Sequence, residues 1–351
     1  MNCAVLGSYA APYPGNFIPS ILALSKEMKK RNDSVVFVFP EEAKERAWIS
    51  LFENEKVFFL PYAPYSLSTF KALGKIFQNE KIDLIYSHFS GWDVAARVAA
   101  PFMPCVWHCH MNVRTETFSK RFKYFLKYDI IGAFKTYSIA VSPPVGDVIE
   151  KIAGKGKSTV ICNGIDFSRL QKKEDFGREK KNVLLLGWQP VVKGVDTACE
   201  AFESGLGEKT LTVSCQEATR DFFEKRYPSG LPSWLRTVEP TSDVSSLYQN
   251  ADVFLSASVT EGFSCALAEA IYSGLPCVIS DIEGTSWAKE FKNVFVFKTG
   301  DPESLKSALQ NCFDAPMTFE NAEYNRKILR KKYSLESWCS KVLEVLDSRR
   351  S

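Results

Sequence analysis

Short apolar runs recur along this chain, separated by stretches whose apolar residues fall at helical spacing. In the first half the runs cover 3–6, 35–39, 57–60, 84–86, 105–109, 139–141 and 159–162. In the second half they cover 182–186, 211–214, 235–238, 251–257, 276–280 and 294–297. Runs of this length, rich in β-branched and aromatic residues and bounded by Gly, Pro or Asn, read as strands. Strands alternating with helical segments predict an α/β fold with doubly wound parallel sheets. From Leu335 onward, Leu335, Trp338, Val342 and Val345 share one face of a terminal helix.

The sharpest local pattern is ADVFLSASVTEGFSCALAEAIYSGLPCVISDIEGT over 251–285. It reads as strand, loop, helix, strand. Helix 264–273 has Ser264 as its N-cap and Gly274 as its stop. The loop before it opens at the carboxyl edge of a parallel sheet, where α/β ligands bind. Gly262 lets a ligand approach the backbone, and the free N–H groups of Phe263, Ser264, Cys265 and Ala266 form an anion cradle at the positive helix end. Glu261 and Glu269 bracket that cradle. Carboxylates beside a phosphate site make sense when they accept hydrogen bonds from neutral hydroxyls on the same ligand. An anion flanked by hydroxyl-rich groups describes a nucleotide-sugar.

These residues resemble the donor-binding block of family 4 glycosyltransferases, retaining enzymes of the GT-B type. The likeness rests on the E-x7-E spacing of Glu261 and Glu269 within EGFSCALAEA, then SGLPCVISD and the final EGT. The resemblance implies two Rossmann-like doubly wound parallel-sheet domains facing a cleft. Residues 1–166 would form the acceptor domain and 182–334 the donor domain, with 335–351 returning as a helix toward the first. NGID, Asn163 to Asp166, resembles the family's signature before the linker, and the charged stretch 167–181 reads as that linker. Gly187, Lys193 and Gly194 look like the family's G-R-x4-K-G segment, except that Trp188 stands at the Arg position. By resemblance Lys193 holds the donor diphosphate, Glu261 binds the sugar hydroxyls and Glu269 the ribose. His110, after strand 105–109, places the transferred sugar, and Gly15 in the first turn approaches the donor.

No cofactor and no metal are expected, and a UDP-sugar is expected ahead of a GDP-sugar. His108 and His110 stand two apart without an acidic or thiol residue at a supporting metal spacing, and His108 reads as satisfied within the sheet. The acceptor would be a glycan or a lipid-linked sugar in polysaccharide or glycoconjugate synthesis. Two other readings stay open: an epimerase or phosphorolytic enzyme on the same fold, and a weakly active partner subunit, which Trp188 favours.

Composition narrows the setting. Formal net charge is +3, but residues 1–173 carry 23 Lys and Arg against 15 Asp and Glu, while the remainder carries 21 against 26. A basic first half suits an acidic acceptor or an anionic membrane face, and is too dilute for nucleic acid. Within it, TFSKRFKYFLKY (117–128) places Phe118, Phe122 and Phe125 on one helical face and Lys120, Lys123 and Lys127 on another. Such a stretch either rests on a membrane or packs its Phe face on the sheet. No apolar run approaches the ~20 residues that span a bilayer. The first strand begins at once, so no signal peptide is expected. The ten cysteines are scattered without a Cys-x-x-Cys pair, as in a reduced, cytoplasmic chain, which would sit peripherally at the inner membrane face if the 117–128 stretch rests on lipid.

Overall fold

The computed structural model describes residues 1–110, 117–177 and 179–350. The chain folds as two compact units, Met1–Gly164 with Leu335–Ser351, and Ile165–Ser334.

In the first unit seven parallel strands form one sheet: β1 (Asn2–Gly7), β2 (Ser34–Pro40), β3 (Lys56–Leu60), β4 (Leu84–His88), β5 (Cys105–Cys109), β6 (Thr136–Ala140) and β7 (Ser158–Val160). Their order is β3-β2-β1-β4-β5-β6-β7, so the winding direction reverses between β1 and β4. Register pairs Gly7 with His88 and His88 with His108, putting three loop-proximal residues side by side at the carboxyl ends. The apolar run at 84–86 continues through Ser87 and His88 because both are buried with partners: Ser87 Oγ donates to Asp93 at 2.6 Å. Helix α1 (Phe17–Lys30) buries Ile18, Ile21, Leu24 and Met28 completely, an i, i+3, i+6, i+10 stripe facing the sheet. Helices α2 (Leu67–Asn79), α3 (Asp93–Ala99), α4 (Phe118–Phe125) and α5 (Pro143–Ala153) complete the layers.

The basic aromatic stretch forms α4 and then a π-helical turn, Leu126–Ile131. Phe122 and Phe125 remain 52% and 46% exposed, so that face does not pack on the sheet; the side chain of Phe118 lies outside the described residues. Lys127 departs from its expected place. It turns inward where α-helical spacing gives way, donating to Asp93 at 2.5 Å and Ser90 at 3.1 Å over the Trp107 ring.

The second unit holds six parallel strands: β8 (Asn182–Leu186), β9 (Thr210–Ser214), β10 (Leu235–Val238), β11 (Val253–Ser256), β12 (Cys277–Ser280) and β13 (Val294–Phe297). Their order is β10-β9-β8-β11-β12-β13, reversing between β8 and β11. Helices α6 (Val195–Glu203), α7 (Glu217–Arg226), α8 (Val244–Asn250), α9 (Cys265–Ser273), α10 (Pro302–Asp314) and α11 (Phe319–Tyr333) flank it. Every residue of α9 from Leu267 to Ser273 is buried. Gly274 ends it in the left-handed region, at φ 99°. The fully buried Arg326 of α11 caps the freed carbonyls, donating from Nε to Tyr272 O at 2.9 Å and from Nη2 to Ser273 O at 3.4 Å, and its Nη2 also ties in Lys173 O at 2.9 Å.

The stretch expected to be a linker is packed on this unit instead. Phe167 stacks on Tyr272 at 4.3 Å, Leu170 is buried, and the Lys173 N–H donates to Ser273 O at 2.8 Å. After Ser334 the chain rejoins the first unit as α12 (Leu335–Arg349). Its Trp338, Cys339, Val342, Leu343 and Leu346 enter the same core as the α1 stripe. A side chain at Gly164 would lie 2.7 Å from Trp338 Cβ, so the glycine of NGID permits this close packing.

Candidate functional site

In doubly wound sheets ligands bind outside the carboxyl ends at the point of reversal. In the second unit that point lies between the loops after β8 and β11, and the sequence-predicted Lys193 and Glu261 meet there. Gly194 caps α6 at φ 64°, and a Cβ on it would lie 2.1 Å from Ala257 O. That closeness, with the Val259 N–H donating to Val192 O at 2.9 Å, presses the two loops together. Lys193 Nζ thereby reaches Glu261 Oε1 at 2.5 Å, and Ser258 Oγ donates to the same oxygen at 2.9 Å. Trp188, 47% exposed, places its ring 5.6 Å from the Lys193 ammonium.

The glutamate loop is held from behind. Ser280 Oγ donates to Ser258 O at 2.6 Å, and a Cβ at Gly284 would lie 2.2 Å from Glu261 O. Gly284→Ala should therefore push the Glu261 backbone outward. It should lower stability by about 1–3 kcal/mol, the range for overpacking, and reduce donor affinity. A urea midpoint and a nucleotide titration on the same preparation measure both.

Three residues after Glu261, Ser264 caps α9 without using its own side chain as a cap. The first N–H groups of α9 have no carbonyl within the helix to bond, as at any helix start. Gly262 and Cys265 are half-buried in this turn. Phe263 is 6% exposed, and its ring stacks on Trp287 at 4.8 Å and tilts against Tyr333 at 5.3 Å. Only its main chain remains for a ligand.

Glu269 has partners of its own. Its carboxylate is 3% exposed and accepts from Arg169 Nη2 and from Tyr248 OH at 2.8 Å. Arg169 and Tyr248 were not among the sequence-derived candidates. Arg169 lies in the stretch read as linker, where the Phe167 and Leu170 spacing was the available signal of a packed turn.

In the first unit the reversal point gathers Gly15, His88 and His110. Gly15 adopts φ 54° beside the Tyr9 hydroxyl, which donates to Tyr13 O at 2.7 Å and closes the turn after β1. Tyr9 stacks on Phe89 at 5.4 Å, and Phe89 stacks on His110 at 4.4 Å. His88, on which the sequence placed no role, has its Nδ1 3.0 Å from His110 Nε2. His108 lies in the sheet as expected, its Nδ1 2.5 Å from the Tyr86 hydroxyl, but it is satisfied at that nitrogen alone, because its Nε2 is buried without a partner.

Burial keeps these imidazoles neutral. Desolvation drives His88 and His108 well below the ordinary histidine range, with His110 nearby lowering both further. Desolvation lowers His110 to about 3, opposed by its hydrogen bond with Asn163. The three rings bring one nitrogen each within 4.8 Å of the others. A metal ligand must lie in the plane of each ring that binds it. His108 and His110 are stacked 4.4 Å apart at 8°, so their planes share no coordination point unless a ring turns.

Each unit thus pairs a doubly wound parallel sheet with polar residues at its reversal point, the architecture of nucleotide-sugar-handling GT-B proteins. Residues 20–169 match the family model described as Glycosyltransferase Family 4, and residues 180–315 the one described as Glycosyl transferases group 1. The chain is a glycosyltransferase of this family, built on the GT-B fold. It is 25% identical over 293 residues to the UDP-Gal:alpha-D-GlcNAc-diphosphoundecaprenol alpha-1,3-galactosyltransferase of Escherichia coli, covering 75% of this chain and 76% of that protein. It is 25% identical over 248 residues to the capsular polysaccharide biosynthesis glycosyltransferase CapM of Staphylococcus aureus, 64% of this chain and 65% of that one. Among solved structures it is similar to Anabaena Alr3699/HepE in complex with UDP. The TM-score is 0.83 at 19% identity, covering 99% of this chain and 100% of that one.

Proposed function

We propose that this enzyme transfers a hexose, with retention of configuration, from a UDP-sugar to a glycan or lipid-linked acceptor in polysaccharide or glycoconjugate synthesis. The observation that carries the reading is the Lys193–Glu261 pair at the reversal point, with Glu261 four residues before the start of α9. A donor diphosphate would draw Lys193 away from Glu261 and accept from the first N–H groups of α9. Glu261, released, would accept from sugar hydroxyls. The same cation and N–H groups then stabilise the charge that grows on the departing nucleotide. As in the family it resembles, an acceptor hydroxyl attacks on the face the nucleotide leaves, and a phosphate oxygen takes its proton. Gly15 and His110 approach the sugar, and no metal or cofactor is needed. The E. coli relative, by its name, uses UDP-galactose and a diphosphoundecaprenol-linked acceptor, which supports a uridine donor and a lipid-linked acceptor here.

Glu269 would meet the ribose while Arg169 and Tyr248 hold it. Glu269→Gln should weaken UDP binding by about 1–3 kcal/mol, the cost of losing a charged hydrogen-bond partner. Unchanged UDP affinity in calorimetry would place the ribose elsewhere. The transferase reading itself is tested by incubating the purified chain with UDP-sugar and lipid extract. Product formed with donor alone would point to epimerisation. Product formed only with a second transferase present would point to a partner subunit, the role Trp188 favours.

A cytoplasmic enzyme on lipid-linked substrate would rest on an anionic membrane. No helix among the described residues is long and apolar enough to cross one. Phe122, Phe125, Leu126 and Ile130 are exposed at 52%, 46%, 39% and 59%, and Lys120 and Lys123 are exposed beside them. Lys120→Glu with Lys123→Glu should release the protein from acidic vesicles, each lysine being worth roughly 1 kcal/mol at such a surface. Equal sedimentation of variant and parent would sink the idea. Lys127 is left intact because its buried pair with Asp93 belongs to the fold.

A further inference from the structure

We propose that His88 is a positioning residue for His110, fixing which of its ring nitrogens carries the proton. This rests on the reading of His110 as the residue that places the transferred sugar. His110 is neutral at working pH, so it offers a donor at one nitrogen and an acceptor at the other. His110 Nε2 lies 3.0 Å from His88 Nδ1, so the hydrogen bond with Asn163 falls to Nδ1. The Asn163 amide can donate or accept and so serves either tautomer, whereas His88 Nε2 is buried without a partner, so neutral His88 keeps its proton on Nδ1, where it has one. The proton of the neutral ring is therefore on Nδ1, and Nε2 accepts from His88 Nδ1–H. In that state His110 can pass its Nδ1–H from Asn163 to a sugar hydroxyl without changing tautomer.

The backbone is built to present this pair. Phe89 and Ser90, directly after His88, both adopt left-handed conformations at φ 63° and 61°. Neither is glycine, and consecutive residues of this kind persist only where the surroundings enforce them, often at functional positions. The turn lays the Phe89 ring flat on His110, at 4.4 Å and 21°. Gly91 closes it against Ser8: a Cβ there would lie 2.4 Å from Ser8 Oγ, and its N–H donates to that oxygen at 3.3 Å. His88 is 1% exposed, so it acts through His110 and does not itself meet a substrate.

Three histidines in the whole chain make the test direct, because long-range ¹H–¹⁵N spectra resolve each imidazole. In the parent protein His110 should show the Nδ1–H form. In His88→Phe, which keeps the ring volume, it should move toward the Nε2–H form, and turnover should fall about tenfold or more, with KM for the donor little changed. His88→Asn, whose amide nitrogen can donate from near the Nδ1 position, should restore both. Circular dichroism separates misfolding from misplacement, and a folded His88→Phe whose His110 tautomer is unchanged overturns the proposal. Full turnover in His110→Ala would overturn the sugar-placing reading, and with it the catalytic half of the inference. A dead His110→Ala beside an unshifted tautomer in His88→Phe would overturn only the role of His88.

Discussion

Lys193→Ala should lower sugar-transfer turnover by about 10²–10³, the usual effect of removing one preorganised contact to developing charge. The effect should be large because Trp188 occupies the place where the family carries a second cation. Lys193 is already held against Glu261 at 2.5 Å and beside the Trp188 ring, so little rearrangement separates the resting side chain from a diphosphate. The fold should survive the substitution. The pair is partly solvated, with side-chain exposures of 17% and 15%, and Ser258 still donates to Glu261 in its absence. Trp188 is 47% exposed, so Trp188→Arg should be tolerated and should partly rescue Lys193→Ala by restoring positive charge. A nearly silent Lys193→Ala beside a harmful Trp188→Arg would place the diphosphate elsewhere. Steady-state kinetics on the single and double variants decide between these outcomes.

Acidification should destabilise the first unit before most carboxylates titrate. His88 and His108 are each 1% exposed and kept neutral by burial, with folded-state values below the unfolded one. The unfolded chain therefore binds more protons than the folded chain below about pH 6.5, and stability falls as pH drops. His110, lowered to about 3, alone removes roughly 2 kcal/mol by pH 5, at up to ~1.4 kcal/mol per pH unit, and His88 and His108 act in the same direction. Against the ~5–15 kcal/mol that holds a typical domain together, such a loss is decisive. Urea midpoints at pH 7, 6 and 5 should move steadily downward, and His88→Asn combined with His108→Gln should make the trend shallower, leaving the part that His110 contributes. A parent midpoint independent of pH across this range would contradict the buried, neutral pair.

Much of this was legible in the residues because the signals were local. The strands announced themselves as short apolar runs, and α9 was bounded by its own Ser264 and Gly274. Glu261 was a candidate because it followed a strand at the carboxyl edge, and Lys193 because its segment resembled the family's G-R-x4-K-G. What escaped depended on partners distant in sequence. Arg169 reaches Glu269 across one hundred residues from a stretch too charged to read as packed. Phe263 belongs to a cluster completed by Trp287 and Tyr333, so its ring faces the core while its main chain faces the loop. Lys127 shares helical spacing with Lys120 and Lys123, but a π-helical turn and the buried carboxylate of Asp93 draw it inward. His88 extended a strand that hydrophobicity ended at Tyr86, and its partnership with His110 depended on the register of two strands.

The central claim is that the second unit binds a uridine diphosphate between Lys193 and the start of α9. Calorimetric titration of UDP into the purified chain tests it most directly. The account predicts one site per chain, tighter for UDP than for GDP, with affinity lowered at least about tenfold in Lys193→Ala, as expected for a charge-assisted contact. Absence of UDP binding to the folded parent, or equal affinity in parent and Lys193→Ala, would contradict it.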